Sequence, residues 1–119
     1  MAIHATAVVD PTASIHPEAE IGPFAVVGAS VAVGARTRVG AHAVIEGPAV
    51  LGEDNVVHPH AALGGPPQDL KYAGEPTRLL VGSRNVFREF MTAHRGTVTG
   101  HAETVIGDDN LFMAYSHVA

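Results

Sequence analysis

Ile21-Gly22-Pro23-Phe24-Ala25-Val26-Val27-Gly28-Ala29-Ser30-Val31-Ala32-Val33-Gly34-Ala35-Arg36-Thr37-Arg38-Val39-Gly40 decides the fold. An aliphatic residue returns every six positions, at Ile21, Val27, Val33 and Val39. Extending the count in both directions adds Ile3, Val9, Ile15, Ile45, Leu51, Val57 and Leu63, eleven aliphatics without an exception. A helix repeats its apolar positions at three and four, and a strand at two. A strict period of six fits neither and marks a stack of short strands joined by corners.

The other positions of the six agree. Glycine follows the aliphatic at Gly22, Gly28, Gly34, Gly40, Gly52, Gly64, Gly82 and Gly107, eight of the 13 glycines in the chain. A corner is expected there, because glycine tolerates backbone conformations that a β-carbon forbids. Four residues after each aliphatic stands a small or compact residue: Ala7, Ala13, Ala19, Ala25, Val31, Thr37, Ala43, Ala49, Asn55 and Ala61. A second inward position near a corner leaves room for little more. Three hexads make one triangular coil of 18 residues, and successive coils stack about 4.8 Å apart through parallel ladders. The fold class is all-β. The pattern resembles the left-handed parallel β-helix of hexapeptide-repeat proteins, from which the hand is taken. The general rule for parallel crossovers predicts the opposite hand.

Composition fits this reading. The 119 residues are 46% hydrophobic, yet only six are aromatic and 16% are charged. Disorder requires low hydrophobicity and high net charge, so it is excluded. Cysteine is absent, which removes disulfides and thiolate chemistry. A net charge of -5 argues against a nucleic-acid partner. No apolar run approaches the ~18 residues of a transmembrane span, and the N-terminus carries no signal-peptide pattern. A cytoplasmic location is expected.

Function is sought where the repeat breaks. After Leu63 the segment from Gly65 to Arg78 places Asp69 and Glu75 where core aliphatics belong, and the period resumes at Val81. A degenerate coil and an extruded loop are both open readings. Three prolines and the polar residues favour a loop, set at 65–80. Gln68, Asp69, Lys71 and Tyr72 cluster polar chemistry there, and loops on rigid scaffolds carry function. Beyond Phe87 the phase slips by one before Ile106, Phe112 and Val118, which predicts a second loop at about 98–104. Val118 opens a hexad that Ala119 does not complete. A single β-helix domain over 1–119, part of a longer protein, is expected, since solenoid ends are normally capped.

Among the eight histidines, His94 and His117 stand beside these breaks. His4, His16, His42 and His101 are expected at solvent-exposed corners. His58 and His60 alternate, which leaves both exposed corners and a metal pair open.

Gln68-Asp69-Leu70-Lys71-Tyr72-Ala73-Gly74-Glu75-Pro76-Thr77-Arg78, His94-Arg95-Gly96-Thr97 and Asp109-Asn110-Leu111-Phe112-Met113 resemble the UDP-N-acetylglucosamine O-acyltransferases that open lipid A synthesis. The similarity runs through the whole chain, from Ile3-His4-Ala5-Thr6-Ala7 onward. The resemblance implies transfer of a 3-hydroxyacyl chain from acyl carrier protein to the 3-hydroxyl of UDP-N-acetylglucosamine, without metal or other cofactor. The donor is a phosphopantetheine thioester on the carrier. It also implies a homotrimer with active sites between neighbouring β-helices. Residue by residue, Gln68, Asp69 and Lys71 match loop residues that line the acyl and sugar-nucleotide cleft. His94 and His117 match cleft histidines. The general-base histidine, suited to the task by a pKa near working pH, falls at the position after Ala119. The 119 residues alone are therefore expected to be inactive. Two alternatives are carried. One is a non-catalytic assembling solenoid. The other is a zinc-dependent carbonic anhydrase-type trimer on the same scaffold, which needs three histidines to converge on one metal. Flat prism faces also predict a homo-oligomer, a trimer.

Overall fold

The computed structural model describes residues 2–98 and 102–119. The first coil consists of β1 (Ala2–Ile3), β2 (Val8–Val9) and β3 (Ser14–Ile15). The second holds β4 (Glu20–Ile21), β5 (Val26–Val27) and β6 (Val31–Val33). The third holds β7 (Arg38–Val39), β8 (Val44–Ile45) and β9 (Ala49–Leu51). The fourth holds β10 (Val56–Val57), β11 (Ala62–Gly65) and β12 (Arg78–Val81). The fifth holds β13 (Val86–Phe87), β14 (Thr92–His94) and β15 (Glu103–Ile106), and β16 (Leu111–Phe112) and β17 (His117–Val118) follow.

Every third strand joins the same sheet, so β1-β4-β7-β10-β13-β16, β2-β5-β8-β11-β14-β17 and β3-β6-β9-β12-β15 form three parallel faces. The result is a left-handed parallel β-helix. The right-handed crossover rule rests on a helix packing back over its own sheet. Among the described residues no helix intervenes, and most strands are only two residues long, too short to impose their twist on the connection.

The aliphatic column is the core. Ile21, Val27, Ile45, Leu51, Val57 and Leu63 are each at most 2% exposed, as are the small partners Ala25, Ala43, Ala49 and Ala61. Two compact positions are polar. Thr37 and Asn55 begin an internal ladder that continues through Asn85 and Asn110. Asn55 Nδ2 donates to the Gly82 carbonyl at 2.8 Å, and Asn85 Nδ2 to the Gly107 carbonyl at 2.8 Å. Each side-chain oxygen accepts the backbone N–H of the next rung, at 2.9 Å from Asn85 and 3.0 Å from Asn110.

The corner glycines need a different reason from conformational freedom. Among the described residues, positive φ at glycine occurs at Gly64, where the chain leaves for the first loop, and at Gly74 within that loop. The left-handed residue is two positions further on, at Phe24, Ser30, Arg36, His42, Asp54 and His60, with φ between 56° and 66°. At Gly40 and Gly52 glycine is needed for close approach of neighbouring coils. A β-carbon on Gly40 would stand 2.8 Å from the Val57 carbonyl oxygen, and one on Gly52 2.6 Å from that of Gly82.

Register measures both loops. Ile3 pairs with Ile21, eighteen positions on, which is the regular coil. Leu51 pairs with Val81 and Val81 with Ile106, thirty and twenty-five positions on. The insertions are therefore twelve and seven residues beyond one coil. Both leave the second face and return to the third, so they stack at one corner on consecutive coils. The first loop is 66–77, narrower than the 65–80 read from the period. Gly65 pairs with His94 across a bulge, and Arg78, Leu79 and Leu80 pair with Glu103, Thr104 and Val105. The second departure runs from 95 to 102, because Glu103 and Thr104 already belong to β15. The period missed these strand residues because ladder pairing uses the backbone and needs no core side chain. Thr99 to His101 lie outside the described residues.

Candidate functional site

Both insertions flank one cleft of about 530 Å³. Its wall on the first-loop side carries Pro67, Gln68 and Asp69. The opposite side carries His94 and Arg95 at the exit of β14, Thr97 beyond them and His117 of β17. Four residues singled out in the sequence, Gln68, Asp69, His94 and His117, thus meet in one place. Lys71 does not line this cleft. It lines a small adjoining recess with Tyr72, Glu75 and Val98. The cause is a turn: the Lys71 N–H donates to the Asp69 carboxylate at 2.8 Å, and the Tyr72 N–H to the Asp69 carbonyl at 3.0 Å.

Stacking of β14 and β17 brings the histidines together. Thr92 pairs with His117 in the ladder, and the outward Thr92 Oγ1 lies 2.7 Å from His117 Nδ1. The His94 and His117 rings meet edge to face with centroids 4.8 Å apart. Burial holds the His94 pKa below its ordinary value, and charge on His117 and on Arg95 pushes in the same direction, against Glu46. His94 Nδ1 is buried with no hydrogen-bond partner. The site therefore favours a neutral imidazole at His94, beside a carboxylate, a carboxamide and hydroxyls. Such a set can recognise a hydroxyl-rich, uncharged ligand group by hydrogen bonds.

Arg95 and Tyr72 were visible in the sequence, but their connection was not. Arg95 Nη2 donates to the Tyr72 hydroxyl at 3.2 Å, and Nη1 to the carbonyls of Gly64 at 2.7 Å and Gly47 at 3.1 Å. The signal available was an arginine at a strand exit, in a chain with only seven basic residues.

The remaining described histidines lie elsewhere. His42 and His60 stack with ring centroids 5.0 Å apart, inside a column that runs from Phe24 through Phe90 to Tyr115. His60 thus belongs to this ring column at the corner between the first and second faces. His4 and His16 are exposed corner residues. Among the described residues no three histidine, aspartate or glutamate side chains gather as a metal site would require, and His101 lies outside them.

Comparison with known proteins places this geometry. Residues 12–47 match the family model described as bacterial transferase hexapeptide (six repeats). The fold and the matched repeats are those of a hexapeptide-repeat β-helix. An acyl-[acyl-carrier-protein]–UDP-N-acetylglucosamine O-acyltransferase of Anaeromyxobacter sp. is 67% identical over 118 residues, 99% of this chain and 46% of the relative. The Xanthomonas campestris enzyme of the same name is 54% identical over 117 residues, 98% of this chain and 44% of the relative. The crystal structure of UDP-N-acetylglucosamine O-acyltransferase from Moraxella catarrhalis superposes with a TM-score of 0.98 at 44% identity, covering 100% of this chain and 46% of that one. The acyltransferase of Francisella novicida gives 0.96 at 36% identity, covering 98% and 43%. Over nearly its whole length the chain is similar to these UDP-N-acetylglucosamine O-acyltransferases. It spans less than half the length of these relatives. Among the described residues no helix is long and apolar enough to cross a membrane.

Proposed function

We propose that this chain is the β-helical part of an enzyme that moves a 3-hydroxyacyl group from acyl carrier protein to the 3-hydroxyl of UDP-N-acetylglucosamine. The observation that carries the reading is the meeting of Gln68, Asp69, His94 and His117 in one cleft between two loops. The sugar oxygen attacks the thioester carbonyl, the C–S bond breaks, and the phosphopantetheine thiol leaves with a proton. A thioester is activated enough to need no metal or further cofactor. The hydroxyl proton passes to a general-base histidine, which this reading assigns to the position after Ala119.

The residues in the cleft bind and orient. Thr92 engages His117 Nδ1, which leaves Nε2 for the ligand. The neutral His94 ring avoids placing a fixed positive charge beside the acyl thioester. Lys71, exposed on the adjoining recess, meets an anionic part of the donor or the nucleotide. The working assembly is a cytoplasmic homotrimer.

Product formation by two lengths of the protein tests the reading. With hydroxyacyl carrier protein and UDP-N-acetylglucosamine, the 119 residues are expected to show no product, whereas the gene product extended through the next histidine and the following coils is expected to acylate the sugar. Turnover by the short chain would displace the base from its proposed position. An extended protein that is folded but leaves UDP-N-acetylglucosamine unmodified would remove the reading itself.

A further inference from the structure

The cleft wall at 66–77 contains no strand, yet it carries Gln68 and Asp69 into the site. Its short-range hydrogen bonds close turns within the loop: Lys71 N–H to the Asp69 carboxylate at 2.8 Å, Tyr72 N–H to the Asp69 carbonyl at 3.0 Å and Ala73 N–H to the Glu75 carboxylate at 2.9 Å. Such bonds shape a loop without setting where it stands on the prism.

Arg95 supplies the missing reference. Its guanidinium reaches the Gly47 carbonyl at a corner of the third coil, the Gly64 carbonyl in β11 at the stem of the loop, and the Tyr72 hydroxyl inside the loop. The Tyr72 hydroxyl in turn donates to the Glu75 carbonyl at 2.9 Å, and the Arg95 N–H donates to the Gly65 carbonyl at 2.9 Å. One side chain at the root of the second insertion thereby joins two coils and the first loop. A planar fork with several fixed donors can hold three acceptors together, whereas an ammonium is a compact point charge on a flexible stem.

We propose that Arg95 is a positioning residue: through Tyr72 it fixes the first loop, and with it Gln68 and Asp69, at a set distance from His94 and His117. That the wall meets the acceptor sugar rests on the function proposed above; the clamp itself does not.

The test is amide hydrogen exchange on the 119-residue chain, read alongside thermal unfolding. The informative amides are Lys71, Tyr72 and Ala73 in the loop, with Val26 and Val44 as coil controls. Tyr72→Phe is expected to speed exchange at the three loop amides roughly tenfold, the scale of one hydrogen bond to a charged group, and to leave the controls unchanged. Arg95→Lys is expected to keep the wild-type melting temperature while its loop exchanges as fast as in Tyr72→Phe. Arg95→Met is expected to open the loop equally. If that variant does not fold, Arg95→Lys decides, because it keeps the Tyr72 hydroxyl bond to the Glu75 carbonyl that Tyr72→Phe also removes. Unchanged loop exchange in Tyr72→Phe, full loop protection in Arg95→Lys, or acceleration shared equally with Val26 and Val44 would each overturn the proposal. None of these readouts involves turnover, so their failure leaves the acyltransferase reading where it stood.

Discussion

Gly28 and Gly52 occupy the same place in the hexad but differ in what surrounds them. A β-carbon on Gly52 would lie 2.6 Å from the Gly82 carbonyl oxygen and 2.7 Å from Ser83 Oγ, whereas on Gly28 the nearest atom is 3.4 Å away. Gly52→Ala is expected to destabilise by about 1–3 kcal/mol, the range for forced overpacking. Gly28→Ala is expected to be neutral or stabilising by roughly 0.4–1 kcal/mol, through loss of unfolded-state freedom. Chemical denaturation of the two variants measures the difference, and equal costs would refute the close-approach account. His94 supplies a second prediction at this scale. Its pKa is held below 6.5 by burial and by His117, so a proton prefers the unfolded chain. The stability linked to this group is intact above about 6.5 and is lost as pH falls toward and through the folded value. A proton NMR titration of the His94 ring should show a midpoint below 6.5, and His117→Asn should raise it. A midpoint at or above the ordinary value would contradict the burial argument.

The corner ladders are the elements that couple coil to coil. Asn85 is fully buried and serves two neighbours at once, accepting from Asn110 and donating to the Gly107 carbonyl. Asn85→Ala removes the bonds to Asn110 and Gly107 and one of the two donors to the buried Asn55 side-chain oxygen, at about 1 kcal/mol for each. Its melting temperature should fall by several degrees, more than for Ser30→Ala at an exposed corner; a fall no larger than that of Ser30→Ala would count against an internal amide ladder. The same corner carries exposed pairs outside, Arg36 to Asp54 and Arg84 to Asp109, each at 2.9 Å. The guanidinium groups hold both carboxyls below their ordinary values. These pairs face water, where screening leaves little net stabilisation. At the next corner the stacked rings of Phe24, His42, His60, Phe90 and Tyr115 cover one another's faces. That column reads as cross-coil packing, since mainly ring edges remain for a ligand.

For the whole molecule, apolar side chains on the outside of the prism matter most. Val8 and Val26 on the second face, Val50 and Val105 on the third and Leu111 on the first all remain exposed. Val8 and Val26 adjoin in one ladder, and an exposed apolar pair of this kind supports the proposed trimer, which would bury it. Sedimentation velocity at micromolar concentration should show a trimer, and Val26→Glu should shift it toward monomer with the β-sheet signal retained. A folded wild-type monomer under those conditions would remove the assembly proposal.

The hexad period already specifies the prism in the sequence. Each six residues build one wall, so side-chain period and backbone shape are the same local information. The seven-residue insertion is legible because it shifts the phase, whereas the twelve-residue one preserves it and leaves only polar residues and prolines as its sign. Of the site, the sequence shows Gln68, Asp69, His94 and His117 only as departures from a repeat. Their meeting depends on which corner both loops leave and on which coils stack there, and those neighbours are twenty-five to thirty residues apart. The Lys71 side chain falls outside the cleft because a turn at Asp69 redirects it. Arg95 gains its role only when three acceptors from separate coils and a loop come within its reach. Local periodicity determines the walls; stacking decides which side chains face each other across them.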